Sequence, residues 1–235
     1  MDKTLQKTKL FPSYAYFPLV ITVLMHMAIF WGTKPLTASA VHHSIPVPLD
    51  EVIPLAPEWV TVYTATFIFW ILGLAVCMRQ ERELCFRMFT GIYIAELICA
   101  VFFIAVPTVI DRPEVTGGVY YDRLLAQLYS ADQPTNLFPS MHCMFAYMVF
   151  RGFMIARLDK PVVIGSGLFA ALVCASTVFV KQHFFVDIIG GIVFGEVAVT
   201  LSLKTNAWKL MDKIHFKLLQ FKKKYAKIDK IAGKI

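Results

Sequence analysis

The sequence predicts an all-α membrane protein, a polytopic bundle of six transmembrane helices. Its 235 residues are 57% hydrophobic and 17% charged, with a mean hydropathy of +0.62. That apolar content is above the level of an ordinary soluble domain, and most charged residues fall between long apolar runs. Each run is close to the length of about 20 residues that crosses the hydrocarbon core of a bilayer.

Six apolar runs mark the predicted spans, in the order Ser13–Gly32, Glu58–Met78, Phe86–Pro107, Ser140–Arg157, Val162–Gln182 and Phe184–Lys204. Spans five and six are nearly continuous, so the chain must turn sharply near His183. Gly191 and Gly195 form a small-xxx-small pattern, which favours close helix packing over chemistry. Ala38-Ser39-Ala40 after the first span resembles a cleavage site, but the apolar run exceeds a usual signal core, so we expect an uncleaved anchor.

Basic residues crowd one side of the predicted bundle. They include Lys3, Lys7 and Lys9 before span one, the links between spans two and three and between spans four and five, and ten lysines from Lys204 to Lys234. Because positively charged loops stay in the cytoplasm, both termini are predicted to be cytoplasmic, in a protein of the cell membrane. The net charge of +7 therefore indicates a topology signal and not a nucleic-acid surface.

We predict one transmembrane domain over residues 1–204 and a basic tail over residues 205–235. Apolar residues recur in the tail at helical spacing, namely Trp208, Met211, Ile214, Leu218, Phe221, Tyr225 and Ile228. This spacing favours an amphipathic helix bound to anionic membrane lipids; a solvated tail that only sets the topology is the alternative. The five cysteines show neither a disulfide framework nor a zinc spacing.

Two segments at the outer ends of spans carry the candidate chemistry. They are Pro139-Ser140-Met141-His142, and Lys181-Gln182-His183 followed by Asp187. Spans four and five form a crossing and a return, which brings both histidines to one membrane face. If span six starts by His183, the i,i+4 spacing puts Asp187 beside it on a helix face. Asp187 then accepts the Nδ1 proton and leaves Nε2 as a nucleophile.

The other residues of these segments suit a phosphoryl group. His142 can protonate a leaving oxygen, and Ser140 opens a helix whose start favours an anion. Arg112 and Lys181 are outward basic groups close in sequence that can neutralise equatorial charge, as phosphoryl transfer requires. This chemistry needs no metal, and the adjacent His42 and His43 are assigned none. A structural role is the alternative for each histidine.

The outer loops and the charged residues within the spans add three further expectations. The proline-rich loop after span one predicts a stiff extended chain, which could act as a lid. The loop from Thr108 to Phe138 holds Gly117-Gly118 and an amphipathic stretch, Tyr120–Tyr129, which either borders the entrance to the site or is an ordinary surface helix. Glu96, Arg151 and Glu196 lie within spans, where ion pairs that lock helices are favoured over a proton or substrate path.

This constellation resembles the type-2 phosphatidic acid phosphatase superfamily over spans three to six, with the motif region at residues 105–190. The family motifs are Lys-x6-Arg-Pro, Pro-Ser-Gly-His and Ser-Arg-x5-His-x3-Asp. In this chain they become Ala105-x6-Arg112-Pro113, Pro139-Ser140-Met141-His142 and Ser176-Thr177-x5-His183-x3-Asp187. The resemblance implies that His183 is the nucleophile, Asp187 its orienter and His142 the acid, with Arg112, Ser140 and the Met141 amide as phosphate ligands.

Three motif positions differ, since Ala105, Met141 and Thr177 replace the lysine, glycine and arginine of the family. Lys181 could replace one lost cation, and the variant is similar to the inositol phosphotransferase-like branch. The resemblance implies a lipid phosphatase, without metal or cofactor, that acts through a phosphohistidine on a phosphorylated lipid at the outer face. The alternatives are a headgroup phosphotransferase that uses the same histidines, and a lipid or ion transporter that uses Glu96, Arg151 and Glu196.

Overall fold

The computed structural model describes residues 10–115, 118 and 120–232, and of residues 223–232 only the backbone is described. Within these ranges the chain forms α1 Tyr16–Thr37, α2 Pro48–Val52, α3 Val60–Arg79, α4 Arg82–Ala105, α5 Tyr120–Ala131, α6 Met141–Ile155, α7 Lys160–Phe179, α8 Phe185–Lys204 and α9 Trp208–Ala232. The all-α prediction is confirmed. Predictions at Lys3, Lys7, Lys9, Gly117 and Lys234, and those for the side chains of Tyr225 and Ile228, lie outside what is described.

Five of the six predicted spans are helices long and apolar enough to cross a membrane. They are Ser13–Thr37, Pro57–Arg79, Arg82–Ala105, Lys160–Phe179 and Phe185–Lys204. The fourth predicted span, Ser140–Arg157, contains the shorter helix α6, whose 15 residues extend about 22 Å.

The two ends of α6 explain its short length. Ser140 is its N-cap, and its Oγ accepts the backbone N–H of Cys143 at 3.3 Å. At the other end Arg157 adopts a φ of 54°, and the N–H of Leu158 bonds back to the carbonyl of Phe153 at 3.2 Å. A left-handed residue with such a return bond ends a helix, so the last predicted turn is not helical.

The long helices alternate in direction, and contacts between their ends define two faces of the bundle. At the loop end, made of residues 38–59, 106–115, 120–140 and 180–184, Asn136 Nδ2 donates to Thr33 Oγ1 of α1 at 2.9 Å. At the basic end, made of residues 80–82, 156–160 and 204–222, Arg87 Nη1 donates to the carbonyls of Leu203 and Thr205 at 2.7 and 2.9 Å. Both candidate histidines lie at the loop end.

Helix α6 lies inside the bundle and packs closely on α8. Its residues Met141, Met144 and Met148 are buried in a cluster with apolar residues of α4 and α8. A Cβ added to Gly191 of α8 would lie 2.7 Å from the carbonyl oxygen of Ser140, a distance that side chains do not tolerate. The prediction that the glycine pattern serves packing is confirmed.

Glu96, Arg151 and Glu196, which lie deep within the spans, take part in two separate contacts. Arg151 Nε donates to Glu196 Oε2 at 2.7 Å and Nη2 donates to Oε1 at 3.1 Å, which confirms the predicted locking pair between α6 and α8. Glu96 is not part of it. Its Oε1 lies 2.8 Å from Nδ1 of His26 on α1.

The tail forms the predicted helix, and its first turns pack on the basic end. Arg82 Nη2 lies 2.6 Å from Asp212 Oδ1. The ring of His215 is buried and stacks on Phe17 at a centroid distance of 4.8 Å, with Phe86 at 5.7 Å. The start of α9 therefore joins α1 and α4 to the tail.

Candidate active site

The loop after α1 covers the loop end of the bundle. The sequence predicts a stiff extended chain here, whereas part of the loop is the short helix α2, whose first residue is Pro48, a position where proline suits a helix. Asp50 Oδ1 accepts the N–H of Phe185 at 2.8 Å, and Ala56 N–H donates to the carbonyl of Phe179 at 3.0 Å. The loop is thus hydrogen-bonded to both sides of the turn that carries His183.

His183 lies in the turn between α7 and α8, close to Asp187. Its Nδ1 is 3.3 Å from Asp187 Oδ2, and both residues are buried. The predicted pairing is present, but the predicted reason for it is wrong because α8 begins only at Phe185. Asp187 instead accepts the N–H of Phe184 at 2.8 Å with the same oxygen, which turns its carboxylate back toward His183.

His142 lies in the first turn of α6 and faces His183. The two ring centroids are 5.8 Å apart with the planes at 59°. Nδ1 of His142 lies 3.4 Å from Oη of Tyr63 on α3, and Nε2 is the buried ring nitrogen that has no hydrogen-bond partner among the described residues. The predicted meeting of the two imidazoles therefore holds in the structure.

The start of α6 joins the two histidine segments. Ser140 is fully buried, and its N–H donates to the backbone carbonyl of Asp187 at 3.1 Å. The side chain of Met141, at the motif glycine position, packs inward in the core between α4 and α8. The backbone of residues 140–142 is thereby held against the start of α8.

Arg112 lies beside the segment that carries His183. Its Nη2 donates a short hydrogen bond to Oε1 of Gln182, and its guanidinium stacks over the Tyr129 ring of α5 at 4.8 Å. Burial lowers the pKa of Arg112 from its ordinary value, although nearby Asp132 opposes this. Burial also raises the pKa of Tyr129 to about 12, so at neutral pH a cation lies on a neutral phenol.

Lys181 contacts the loop after α1, and Thr177 occupies the position of the motif arginine. Lys181 Nζ donates to the backbone carbonyls of Asp50 and Ile53 at 3.2 and 2.6 Å, which attaches it to α2. Thr177, at the motif arginine position, is fully buried, and its hydroxyl donates to the carbonyl of Cys174 at 2.7 Å. Within the described ranges, no group of three or more His, Cys, Asp or Glu side chains could hold a metal ion.

Helix α5 confirms the predicted helical stretch and covers part of the site. Leu125 is fully buried and packs with Val60, Tyr63 and Val180, and Tyr129 Oη donates to the carbonyl of Val180 at 2.9 Å. These contacts favour the interpretation that α5 borders the site over that of an ordinary surface helix.

Sequence reasoning missed Tyr63 and Gln182 as members of the site. Tyr63 belongs to no motif, and its only sequence signal is a polar tip in the first turn of a span. Gln182 adjoins His183, but glutamine has no charge that would mark it in a search for phosphate ligands. Both are identified by their contacts, with His142 and with Arg112.

Two comparisons with known proteins agree with this site. Residues 112–210 match the model of the PAP2 superfamily. Sphingosine-1-phosphate phosphatase 2 of Mus musculus is 32% identical to the chain over 82 residues, a match that covers 32% of this chain and 23% of the relative. The chain thus spans less than a quarter of the length of that curated relative. No solved structure matches the chain.

Proposed function

We propose, from the match of residues 112–210 to the model of the PAP2 superfamily, that this membrane protein is a phosphoric ester hydrolase that releases phosphate from a phosphorylated lipid. The observation that carries the proposal is the meeting of two buried imidazoles at a centroid distance of 5.8 Å, one of them beside a buried carboxylate. That spacing allows both rings to contact one tetrahedral phosphoryl group.

In the first step Nε2 of His183 attacks phosphorus while the bond from phosphorus to the lipid oxygen breaks. Asp187 accepts the Nδ1 proton of His183, which fixes the tautomer and supports positive charge on the ring. Nε2 of His142 donates its proton to the leaving oxygen, so the lipid departs as an alcohol. The product on the protein is a phosphohistidine at His183.

In the second step water attacks the phosphohistidine. His142, now without its proton, takes one from the water, the bond between nitrogen and phosphorus breaks, and phosphate leaves. Tyr63 Oη, 3.4 Å from His142 Nδ1, accepts the Nδ1–H of the protonated ring, so His142 gives up its Nε2 proton as an imidazolium and becomes a neutral imidazole. The cycle returns both histidines to their starting protonation.

Charge on the phosphoryl oxygens is offset by Arg112 and by the start of α6. Arg112 is bonded to Gln182, the residue that precedes His183, and the exposed amides of a helix start together with the Ser140 hydroxyl favour an anion. Lys181 is the second candidate cation, by rotation away from its carbonyl partners on α2. Lys181→Met tests this role, since a raised KM with unchanged kcat is expected if the ammonium reaches the phosphate.

The membrane arrangement is part of the same proposal. The loop end faces outward and the basic end faces the cytoplasm, because lysine and arginine are enriched in cytoplasmic loops. We count α6 as a membrane crossing in addition to the five span-length helices. The loop segments at its two ends supply the length that this helix lacks. The substrate is a lipid phosphate monoester of the outer leaflet, a class to which the name of the mouse relative also points.

The test is phosphate release from a panel of phosphorylated lipids by the purified protein, with and without a chelator. We expect release that is insensitive to the chelator, inhibited by vanadate and lost in His183→Ala. The matched control is His43→Ala, because His43 is exposed on the loop after α1. Equal release by His183→Ala and the native chain would overturn the proposal.

The same assay with an added alcohol separates hydrolysis from headgroup transfer. The site lacks charge at two motif positions, since Ala105 and Thr177 replace cations, and this favours a substrate phosphate of lower charge, such as a phosphodiester. An alkyl phosphate or alkyl phosphodiester formed at the expense of free phosphate would identify a phosphotransferase that uses the same histidines.

A further inference from the structure

A cavity of about 210 Å³ lies inside the bundle, toward the basic end and apart from the two histidines. It is enclosed by α1, α3, α4, α6 and α8, and most of its lining is apolar, including Leu74, Met88, Ile92 and Val199. An apolar cavity of about 150 Å³ is large enough to stay dry and bind benzene. This cavity is therefore large enough for a segment of hydrocarbon chain.

Two polar atoms of the cavity lining lack partners, and they are complementary. Glu96 is fully buried; its Oε1 contacts His26, while its Oε2 has no hydrogen-bond partner among the described residues. The same is true of the indole Nε1 of Trp70. One atom is an acceptor and the other is a donor only. Leaving either atom unpaired in an apolar environment is unfavourable.

Both side chains border His26, whose Nδ1 lies 2.8 Å from Glu96 Oε1 and whose ring centroid lies 6.1 Å from that of Trp70. A hydroxyl group between them can donate to one unpaired atom and accept from the other. The cavity also adjoins the lipid-facing surface of α1, where its lining residues Val23 and Met27 are 47% and 46% exposed. An amphiphile could thus enter from the bilayer. On its other side the Trp70 ring lies 5.3 Å from that of His142, so Trp70 separates the cavity from the histidines.

We propose that this cavity is a binding site for a single apolar chain that ends in a hydroxyl group. The hydroxyl donates to Glu96 Oε2 and accepts from Trp70 Nε1–H, and the chain lies along the apolar lining of α4, α6 and α8. A long-chain alcohol is also the class of product that the proposed hydrolysis releases. The binding site rests on the cavity and its two unpaired atoms, so it does not depend on that reaction.

The test uses the fluorescence of Trp70 in the otherwise native chain, with Trp31, Trp59 and Trp208 replaced by phenylalanine. Bromodecanol and bromodecane are titrated into the detergent-solubilised protein, and quenching by bromine reports binding. We expect saturable quenching with an affinity for the alcohol about tenfold or more above that for the alkane, since two buried hydrogen bonds distinguish them. Equal affinities would overturn the proposal and would indicate that water satisfies the two atoms.

Two variants show whether the preference arises from the assigned pair. Glu96→Leu removes the acceptor and is expected to reduce the ratio of affinities to about one, whereas Arg151→Met, which disrupts the other charged pair, should leave the ratio unchanged. A persistent preference in a folded Glu96→Leu protein would exclude Glu96 as the ligand.

Repeating the titration in His183→Ala shows whether alcohol binding in the cavity depends on the proposed reaction. Binding of the alcohol is expected to be unchanged in this variant. If phosphate release proves independent of His183 while the alcohol preference persists, the proposed function fails and the cavity site stands.

Discussion

At the scale of single residues, the position of His183 is set by backbone hydrogen bonds more than by its spacing from Asp187. The N–H groups of Gln182 and His183 both donate to the carbonyl of Thr177 at 2.9 and 3.2 Å, and Lys181 adopts a φ of 50°. These contacts end α7 and form the turn. The sequence predicted the partner correctly because four residues separate the pair in either conformation, but it predicted the wrong backbone.

A substitution at Tyr63 gives the first prediction at this scale. It tests the role of His142 while the imidazole itself is left unchanged. Tyr63→Phe removes the hydroxyl 3.4 Å from Nδ1 and keeps the ring that packs with Leu125. We expect kcat for an alkyl phosphate to fall about threefold to tenfold, the effect of about 1 kcal/mol. Steady-state kinetics with the purified variant provide the measurement.

A change of substrate distinguishes a catalytic effect from a loss of folding. The aryloxide of an aryl phosphate leaves without protonation, so kcat/KM for an aryl phosphate, which reports only the steps up to the phosphohistidine, should be nearly insensitive to Tyr63→Phe. Tyr121→Phe on the exposed face of α5 is the control. An equal loss with both substrates would show that Tyr63 acts through the fold and not through His142.

At the scale of elements, the close contact between α6 and α8 positions the candidate site. An added Cβ at Gly190 would lie 2.6 Å from the Phe138 ring, and one at Gly191 would lie 3.0 Å from Met144 N. These glycines therefore let the start of α8 approach the start of α6. The sequence predicted the close packing at Gly191 from its spacing to Gly195, since small residues at intervals of four allow helices to approach.

Replacing Gly191 by alanine tests this contact. We expect Gly191→Ala to lower the stability by about 1–3 kcal/mol, the usual cost of overpacking, and to reduce phosphate release because Ser140 must move. Thermal unfolding in detergent gives the stability. Gly165→Ala in α7 is the matched control, because nothing lies within 4 Å of its added Cβ. A neutral Gly191→Ala variant would contradict the assigned contact.

The junction between α9 and the bundle predicts a pH dependence. Burial lowers the pKa of His215 below its usual value, and the guanidinium of Arg82, whose Nη2 is 3.2 Å from Nδ1, lowers it further while Asp212 acts in the opposite direction. The docked state thus favours the neutral ring. Its contribution is complete above the ordinary histidine pKa of about 6.5 and is lost as the pH falls through that value toward the lowered pKa.

Hydrogen exchange of α9 at a series of pH values measures this effect. After correction for intrinsic rates, protection of Trp208–Ala232 should decrease as the pH falls below about 6.5. His215→Phe keeps an aromatic ring between Phe17 and Phe86 and should flatten the profile. If protection of α9 in the native protein increases as the pH is lowered, this result would contradict the docking role of the neutral imidazole.

At the scale of the whole molecule, the sequence predicted the positions of the long apolar helices better than the surroundings of each functional group. Apolar length alone located the five span-length helices, because the bilayer sets that length. It did not place Lys181 on α2 or Tyr63 against His142, since those contacts join segments distant in sequence. A loop that folds over a bundle has no periodic signal, so its contacts become visible only in three dimensions.

The orientation of the bundle supports the last prediction. In the structure Arg87 reaches the carbonyls after α8, so the basic links meet at one end, opposite the two histidines. If that end is cytoplasmic, a membrane-impermeant maleimide added to intact cells should label Val41→Cys at the loop end. It should fail to label Asn206→Cys at the basic end.

The chain allows this experiment with little background, because its five natural cysteines are all free and buried. Val41 is 77% exposed and Asn206 is also exposed, so both introduced thiols should react once the cells are permeabilised. That second labelling controls for reactivity. Labelling of Asn206→Cys alone in intact cells would place the two histidines on the cytoplasmic side, and the substrate would then be a lipid of the inner leaflet.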